Sequence, residues 1–173
     1  PTGPVVIYDD DQIYIAGVIA QHLAAAGHDV HFVTPAAIVS PWTEMTLEQD
    51  RIQRALITAG VSIHTGRSLA EITGDGCRLD CVYGGVEAKV LCGAIVLVTE
   101  RTRQTELYDE LVMRGSFAHL ELIGDAASPG LIADAVFDGH RAARGFEGDQ
   151  AEQDAAYFRR EIVSLNDTAG TEQ

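Results

Sequence analysis

Residues 4–35 read PVVIYDDDQIYIAGVIAQHLAAAGHDVHFVTP, and this stretch decides the fold of the chain. Residues 4–8 form a β-branched run typical of a strand, and residues 13–26 carry apolar side chains at helical spacing up to Gly27. Residues 28–33 alternate polar and apolar side chains until a Thr-Pro pair ends the run. Strand, helix and strand within about 30 residues predict a β-α-β crossover unit in a parallel sheet.

The next segment continues the same alternation. Residues 46–59 predict a helix, with Thr46 and Gln49 at the spacing of a capping box and Gly60 at its end. Residues 61–64 predict a third short strand.

A different pattern fills residues 68–91, where three strand-like runs are separated by the turn sequences Gly-Asp-Gly and Gly-Gly. These turns are typical of hairpins, so the runs predict an antiparallel meander. Residues 94–98, AIVLV, predict a strand that is buried on both faces and rejoins the main sheet. The predicted fold class is α/β, a Rossmann-like parallel sheet with an antiparallel β-meander insertion.

The remaining residues predict mainly helices. Residues 104–114 and 131–146 have helical patterns, and residues 120–123 between them predict a further strand. Residues 150–165 predict a polar helix, and residues 166–173 have nothing to bury and should fray.

Composition limits the class of protein and its partners. The 173 residues carry 12 Lys and Arg against 26 Asp and Glu, a net charge of −14, which argues against nucleic acid as a partner. No apolar run approaches the ~18 residues of a membrane span. The three cysteines, Cys77, Cys81 and Cys92, are an odd number without a secretory leader and favour free thiols in the cytoplasm. Neither a metal site nor a catalytic residue is predicted.

The loop after the first strand, Asp9-Asp10-Asp11-Gln12, bears on nucleotide binding. A dinucleotide fold has a glycine-rich turn here, whose bare backbone approaches the pyrophosphate. Three carboxylates would instead repel it, at a cost of about 1 to 4 kcal/mol for each close pair of like charges. Thr34 stands where an acidic residue would hold an adenosine ribose. We therefore expect no NAD(P)H binding at this loop.

The pair Asp9-Asp10 also suggests a response-regulator receiver, which needs an aspartate after the third strand and a lysine after a later one. The third strand is followed by Thr65 and Gly66, and the single lysine, Lys89, lies in the predicted meander. Both requirements fail.

A second loop, Gly124 and Asp125 before the helix that begins at Leu131, is a better candidate. A carboxylate at the end of a strand can accept hydrogen bonds from ribose hydroxyls, and the N–H groups of Leu131, Ile132 and Ala133 can face a pyrophosphate. A plain strand-to-helix turn with Asp125 as a cap explains the pattern equally well.

Three segments in this order resemble one enzyme family: residues 5–35, residues 94–111 (AIVLVTERTRQTELYDEL) and residues 123–144 (IGDAASPGLIADAVFDGHRAAR). Together they resemble the C-terminal part of the trimethylamine dehydrogenase family. That family includes the dimethylamine and histamine dehydrogenases and is related to 2,4-dienoyl-CoA reductase. The resemblance implies a longer flavoprotein whose N-terminal TIM barrel carries FMN and a 4Fe-4S cluster.

The same resemblance implies a division of the chain. Residues 1–92 would be a degenerate NAD(P)H-like domain that includes the meander. Residues 93–148 would be the second half of an FAD-like domain, with Gly124 and Asp125 in its nucleotide motif. Residues 149–173 would be a C-terminal helix and tail.

In the amine dehydrogenases of this family, ADP replaces FAD and electrons leave to an electron-transfer flavoprotein. The resemblance therefore implies a partial, weak site for ADP or FAD, completed by the barrel and the first half of the FAD-like domain. The chain would be inactive alone, within a parent oxidoreductase acting on C–N bonds. The alternative is a self-standing, non-catalytic interaction domain or subunit with a degenerate Rossmann fold.

Overall fold

The computed structural model describes residues 2–145, which form parts of two compact units, one ending at Glu100 and the other beginning at Arg101. The division after residue 92 that the resemblance implies stays a prediction. Residues 94–98 pair with the first strand and extend the sheet of the first unit. The helix predicted over residues 150–165 and the tail at residues 166–173 lie outside the described residues.

The first unit is built on a four-stranded parallel sheet. Its strands, in spatial order, are β3 (Ser62–His64), β2 (Val30–Val33), β1 (Val5–Asp9) and β7 (Ala94–Val98). Val5 lies beside Val30 on one side and beside Ala94 on the other. The predicted β-α-β unit and the return of residues 94–98 to the main sheet are confirmed.

Two helices, α1 (Ile15–Ala25) and α2 (Gln49–Thr58), cover one face of this sheet. Ile7 and Phe32 from the strands pack with Ala16 of α1 and Leu56 of α2, and all four side chains are inaccessible to solvent. Burying one large apolar side chain contributes ~1.5–3 kcal/mol, so this cluster is a main source of stability.

The predicted antiparallel meander is also confirmed. Its strands are β4 (Arg67–Thr73), β5 (Gly76–Cys81) and β6 (Glu87–Leu91), in that order. Cys77 and Leu79 of β5 pack against Val6 and Val33 of the parallel sheet, on the face opposite the helices. The meander therefore closes the second face of the core.

The second unit contains α3 (Glu106–Arg114), a 3-10 turn (Gly124–Ala126) and α4 (Ile132–Gly145). The strand predicted over residues 120–123 is wrong, since the backbone is extended at Ile123 but pairs with no strand in residues 2–145. An extended segment needs a neighbouring strand for its hydrogen bonds, and all seven strands of the described residues belong to the first unit.

Two smaller expectations are also wrong. No side chain caps α2, because the hydroxyl of Thr46 bonds to the Thr43 carbonyl and the Glu48 carboxylate, so the predicted capping box does not form. Strand β7 is not buried on both faces, since it lies at the edge of the sheet and Leu97 is exposed.

Within residues 2–145, no helix combines the length and the apolar character needed to cross a bilayer.

Candidate functional site

The β1–α1 loop uses its own backbone N–H groups internally. Those of Asp10 and Asp11 donate to the Val98 carbonyl, over 2.8 and 3.2 Å, and that of Gln12 donates to Oδ1 of Asp9, over 2.8 Å. Gln12 adopts a left-handed conformation with φ of 62°, which turns the loop back over the end of β1. A pyrophosphate would have to displace each of these acceptors to bind here.

Asp9, the last residue of β1, is the buried acid of the same loop. Its side chain is fully buried, and Oδ2 has no hydrogen-bond partner in residues 2–145. Burial, with the nearby charges of Asp11 and Asp10, raises the pKa of Asp9 to about 6. A buried acid therefore occupies the end of the central strand, where a dinucleotide fold needs bare backbone.

Thr34, at the end of β2, is fully buried as well. Its N–H donates to the His64 carbonyl, and its own carbonyl accepts the Arg67 N–H, both over 3.0 Å. Its hydroxyl accepts the N–H of Ala36 over 3.3 Å. These bonds join β2 to β3 and β4, so Thr34 has a structural role and does not face a ribose site.

The second loop joins the extended Ile123 to α4. Gly124 has a left-handed φ of 58°, and its N–H donates to Oδ2 of Asp138 over 3.3 Å. Oδ1 of the exposed Asp125 accepts the Gly130 N–H over 3.1 Å. Asp125 thus folds the loop and still presents its carboxylate to solvent.

The start of α4 is capped by its own third residue. The Leu131 N–H donates to Oδ2 of Asp134 over 2.8 Å, which is half of a capping box. A Cβ on Gly130 would lie 2.7 Å from that oxygen, so glycine makes room for the carboxylate. Ile132 and Ala133 follow with exposed side chains. Sequence analysis missed Asp134, although its three-residue spacing from Leu131 is the pattern of such a cap.

Two arginines also reach this loop. Nη1 of Arg101 donates to the Gly130 carbonyl over 2.6 Å, and Nη1 of Arg103 donates to the Ala127 carbonyl over 3.4 Å. They place positive charge beside Asp125 and Asp134. No spacing in the sequence predicts these contacts, because the arginines lie more than twenty residues before the loop.

A family of known domains matches most of the chain. Residues 2–114 match the model of the OYE-like second alpha/beta domain. The chain belongs to this family. The match covers the whole parallel sheet, the meander and α3 of this second α/β domain.

Known relatives of the domain are amine-oxidising enzymes. Dimethylamine dehydrogenase of Hyphomicrobium sp. (strain x) is 32% identical over 181 residues, covering 91% of this chain and 24% of that protein. Histamine dehydrogenase from Rhizobium sp. 4-9 is 38% identical with a TM-score of 0.86, covering 95% of this chain and 26% of that one. The 6-hydroxypseudooxynicotine amine oxidase from Pseudomonas geniculata N1 is 35% identical with a TM-score of 0.81, and the match covers 84% of this chain and 22% of that one.

The resemblance to dimethylamine and histamine dehydrogenases is thereby confirmed, and the chain spans about a quarter of the length of these relatives.

Outside the two loops, the domain brings together one pair of imidazoles that sequence analysis missed. Nδ1 of His31 lies 2.9 Å from Nε2 of His64. Burial, then the charges of His31 and Arg67, lower the pKa of His64. No group of three or more His, Cys, Asp or Glu side chains in residues 2–145 is arranged to hold a metal ion.

Proposed function

We propose that this second α/β domain is the C-terminal, nucleotide-binding-like scaffold of a larger flavin-dependent amine dehydrogenase. It is not catalytic alone. Its relatives named as amine dehydrogenases are about four times longer, which supports a parent enzyme with further domains. In that parent, which we place in the cytoplasm, a TIM barrel would carry FMN and the 4Fe-4S cluster.

The observation that carries this proposal is the missing core of the second unit. None of residues 101–145 is buried, although the segment contains many large apolar side chains. Exposed members are Leu107, Val112, Met113, Phe117, Ile132, Val136 and Phe137. Apolar surface of this extent normally lies against another protein surface. The barrel and the first half of the FAD-like domain would supply that cover.

The second loop is the proposed site for ADP or FAD, held weakly because it is partial. The exposed Asp125 carboxylate would accept ribose hydroxyls, and the helix start at Leu131, Ile132 and Ala133 would face the pyrophosphate. Gly124 supplies the left-handed turn that leads into the site. The 4Fe-4S cluster does not fit the described part of this chain, since no group of three or more metal-ligating side chains occurs there.

Calorimetric titration of the chain with ADP, FAD, NADH and NADPH tests the nucleotide assignment. We expect weak binding of ADP and FAD that is lost in Asp125→Ala, and no binding of the nicotinamides. The matched control is Asp10→Asn, which removes a carboxylate from the closed β1–α1 loop. Micromolar NADH binding that survives Asp125→Ala would show that the two loops have been assigned the wrong way round.

The genomic coding region tests the scaffold assignment separately. We expect the reading frame to continue upstream into a barrel and a cluster-type cysteine motif, and the parent to reduce an electron-transfer flavoprotein. A reading frame that holds this domain alone would favour the alternative, a self-standing interaction domain.

A further inference from the structure

The segment that leads into α2, residues 40–50, contains a 3-10 helix (Pro41–Glu44) and presents large apolar side chains to water. Trp42, Met45 and Leu47 are 62%, 84% and 92% exposed. Two of its residues that are not glycine, Ser40 and Leu47, have left-handed φ values of 48° and 60°. Such backbone is unfavourable for these residue types and persists only where the surrounding structure holds it.

The loop also borders a cavity of about 280 Å³ lined by Glu44, Leu47, Gln49 and Asp50. Leu47 forms an apolar wall, while Glu44 and Asp50 supply two carboxylates. Neither carboxylate has an ion-pair partner within residues 2–145; the neighbouring Arg51 instead pairs with Glu48, over 2.8 Å. An aliphatic stem with a cationic head, as in lysine or arginine, matches this combination of surfaces.

Further negative charge adjoins the loop. The Trp42 N–H bonds to the Gln12 carbonyl over 3.4 Å, which ties the loop to the segment that carries Asp10 and Asp11. The whole chain has a net charge of −14. Charge of one sign speeds the encounter with a partner of the opposite sign and disfavours partners of the same sign.

We propose that residues 40–50 dock a basic segment of a partner protein. A lysine or arginine of that segment enters the cavity between Glu44 and Asp50, and its apolar residues pack on Trp42, Met45 and Leu47. The surface shares no residue with the nucleotide loop, so this docking does not depend on the proposed ADP site.

The chain contains a single tryptophan, Trp42, which makes its fluorescence a local reporter of docking. The probe is the peptide acetyl-Leu-Arg-Leu-Lys-Leu-Arg-amide, titrated into the 173-residue chain, with a second peptide in which glutamate replaces each cation. We expect the basic peptide to shift the Trp42 emission to shorter wavelength in a saturable manner and the acidic peptide to have no effect.

Two variants separate docking from folding. Glu44→Gln combined with Asp50→Asn removes the cavity charges, and we expect it to weaken peptide binding at least fivefold. Leu47→Gly removes the apolar wall, and glycine accepts the left-handed φ, so binding should weaken while thermal stability is kept or raised. Glu100→Gln combined with Glu106→Gln is the matched control, since it removes the same charge from exposed positions elsewhere and should leave affinity within twofold.

Three results would overturn the proposal. One is the lack of any Trp42 response to the basic peptide up to 1 mM. Another is equal binding of both peptides, or equal affinity in the cavity variant and its control. The third is a dimer in sedimentation that Leu47→Gly converts to monomer, which would make a second copy of the chain the occupant.

Discussion

The first unit has a closed core, whereas none of residues 101–145, the described part of the second unit, is buried. In the first, helices cover one face of the sheet and the meander covers the other, and the strand residues between them are buried. In the second, the described helices bury no residue. The difference supports the proposal that the exposed apolar side chains of residues 101–145 lie against another part of a larger enzyme.

The loops that precede α1 and α4 differ in the same way. Both satisfy backbone N–H groups with aspartates of the chain itself, Asp9 in one and Asp125, Asp134 and Asp138 in the other. In the first loop the acid is fully buried, so no ligand can exchange with it. In the second loop Asp125 and Asp134 are exposed and a ligand phosphate can compete with them.

The largest expected effect comes from truncating one phenylalanine in each unit. Phe32→Ala leaves a cavity between the sheet and its helices and should lower the free energy of unfolding by ~3–5 kcal/mol. Phe137→Ala removes a side chain that is 64% exposed and should change it by less than ~0.5 kcal/mol. Urea denaturation of the chain measures both. Equal losses would mean that the second unit has a core of its own.

Asp9 gives the next largest effect and distinguishes the closed loop from the open one. A carboxyl whose pKa is raised from 3.8 to about 6 disfavours folding once it ionises, by up to ~3 kcal/mol. The folded state holds this proton more tightly than the unfolded state, so stability falls as pH rises from about 4 to 6. The asparagine side chain is neutral at every pH. Asp9→Asn should therefore raise the free energy of unfolding by ~1–2 kcal/mol at pH 8 and leave it unchanged at pH 4.

The control for this change is Asp10→Asn, on the same loop but exposed. Because burial raises the pKa of Asp9 more than the Asp10 charge does, the stability of this variant should still fall as pH rises from about 4 to 6. Denaturation curves for Asp9→Asn that run parallel to the wild type at every pH would show that Asp9 is ionised at no cost.

The sequence predicts the first unit well because its elements follow local rules. The apolar spacing of residues 13–26 and the glycine turns of the meander each depend on neighbours a few residues away. Residues 94–98 were placed in the main sheet correctly, but their burial on both faces was not, because burial depends on what lies beyond β7. The predicted strand at residues 120–123 was wrong for the same reason, since a strand exists only with a partner.

The candidate site was predictable only in outline. Gly124 and Asp125 stand out because glycine followed by a carboxylate after an apolar run is a local pattern. The contacts of Arg101 with Gly130, and of His31 with His64, join residues about thirty positions apart in the sequence. Patterns among neighbouring residues therefore do not predict these contacts. A run of three aspartates also does not predict that Asp9 is buried, or that its Oδ2 has no hydrogen-bond partner in residues 2–145.

A smaller effect is expected at the open loop. Asp134→Ala removes the carboxylate that caps the Leu131 N–H, at a cost of ~0.5–1 kcal/mol to the first turn of α4. Amide exchange at Leu131 should therefore become about two- to fivefold faster. Asp109→Ala in α3 is the matched control and should leave that amide unchanged. Unaltered exchange in Asp134→Ala would place the cap elsewhere.

The smallest expected effect concerns His64, at the edge strand of the closed unit. Burial and the neighbouring His31 and Arg67 lower its pKa, so the unfolded state binds a proton more readily than the folded state. Stability from this group is complete above the ordinary histidine pKa of ~6.5 and is lost as pH falls through the lower folded value. His64→Asn should flatten the acid side of the stability profile, whereas His140→Asn, on the exposed α4, should not. A profile that stays steep in His64→Asn would mean that the half-buried imidazole pair carries no proton linkage and that acid sensitivity arises elsewhere.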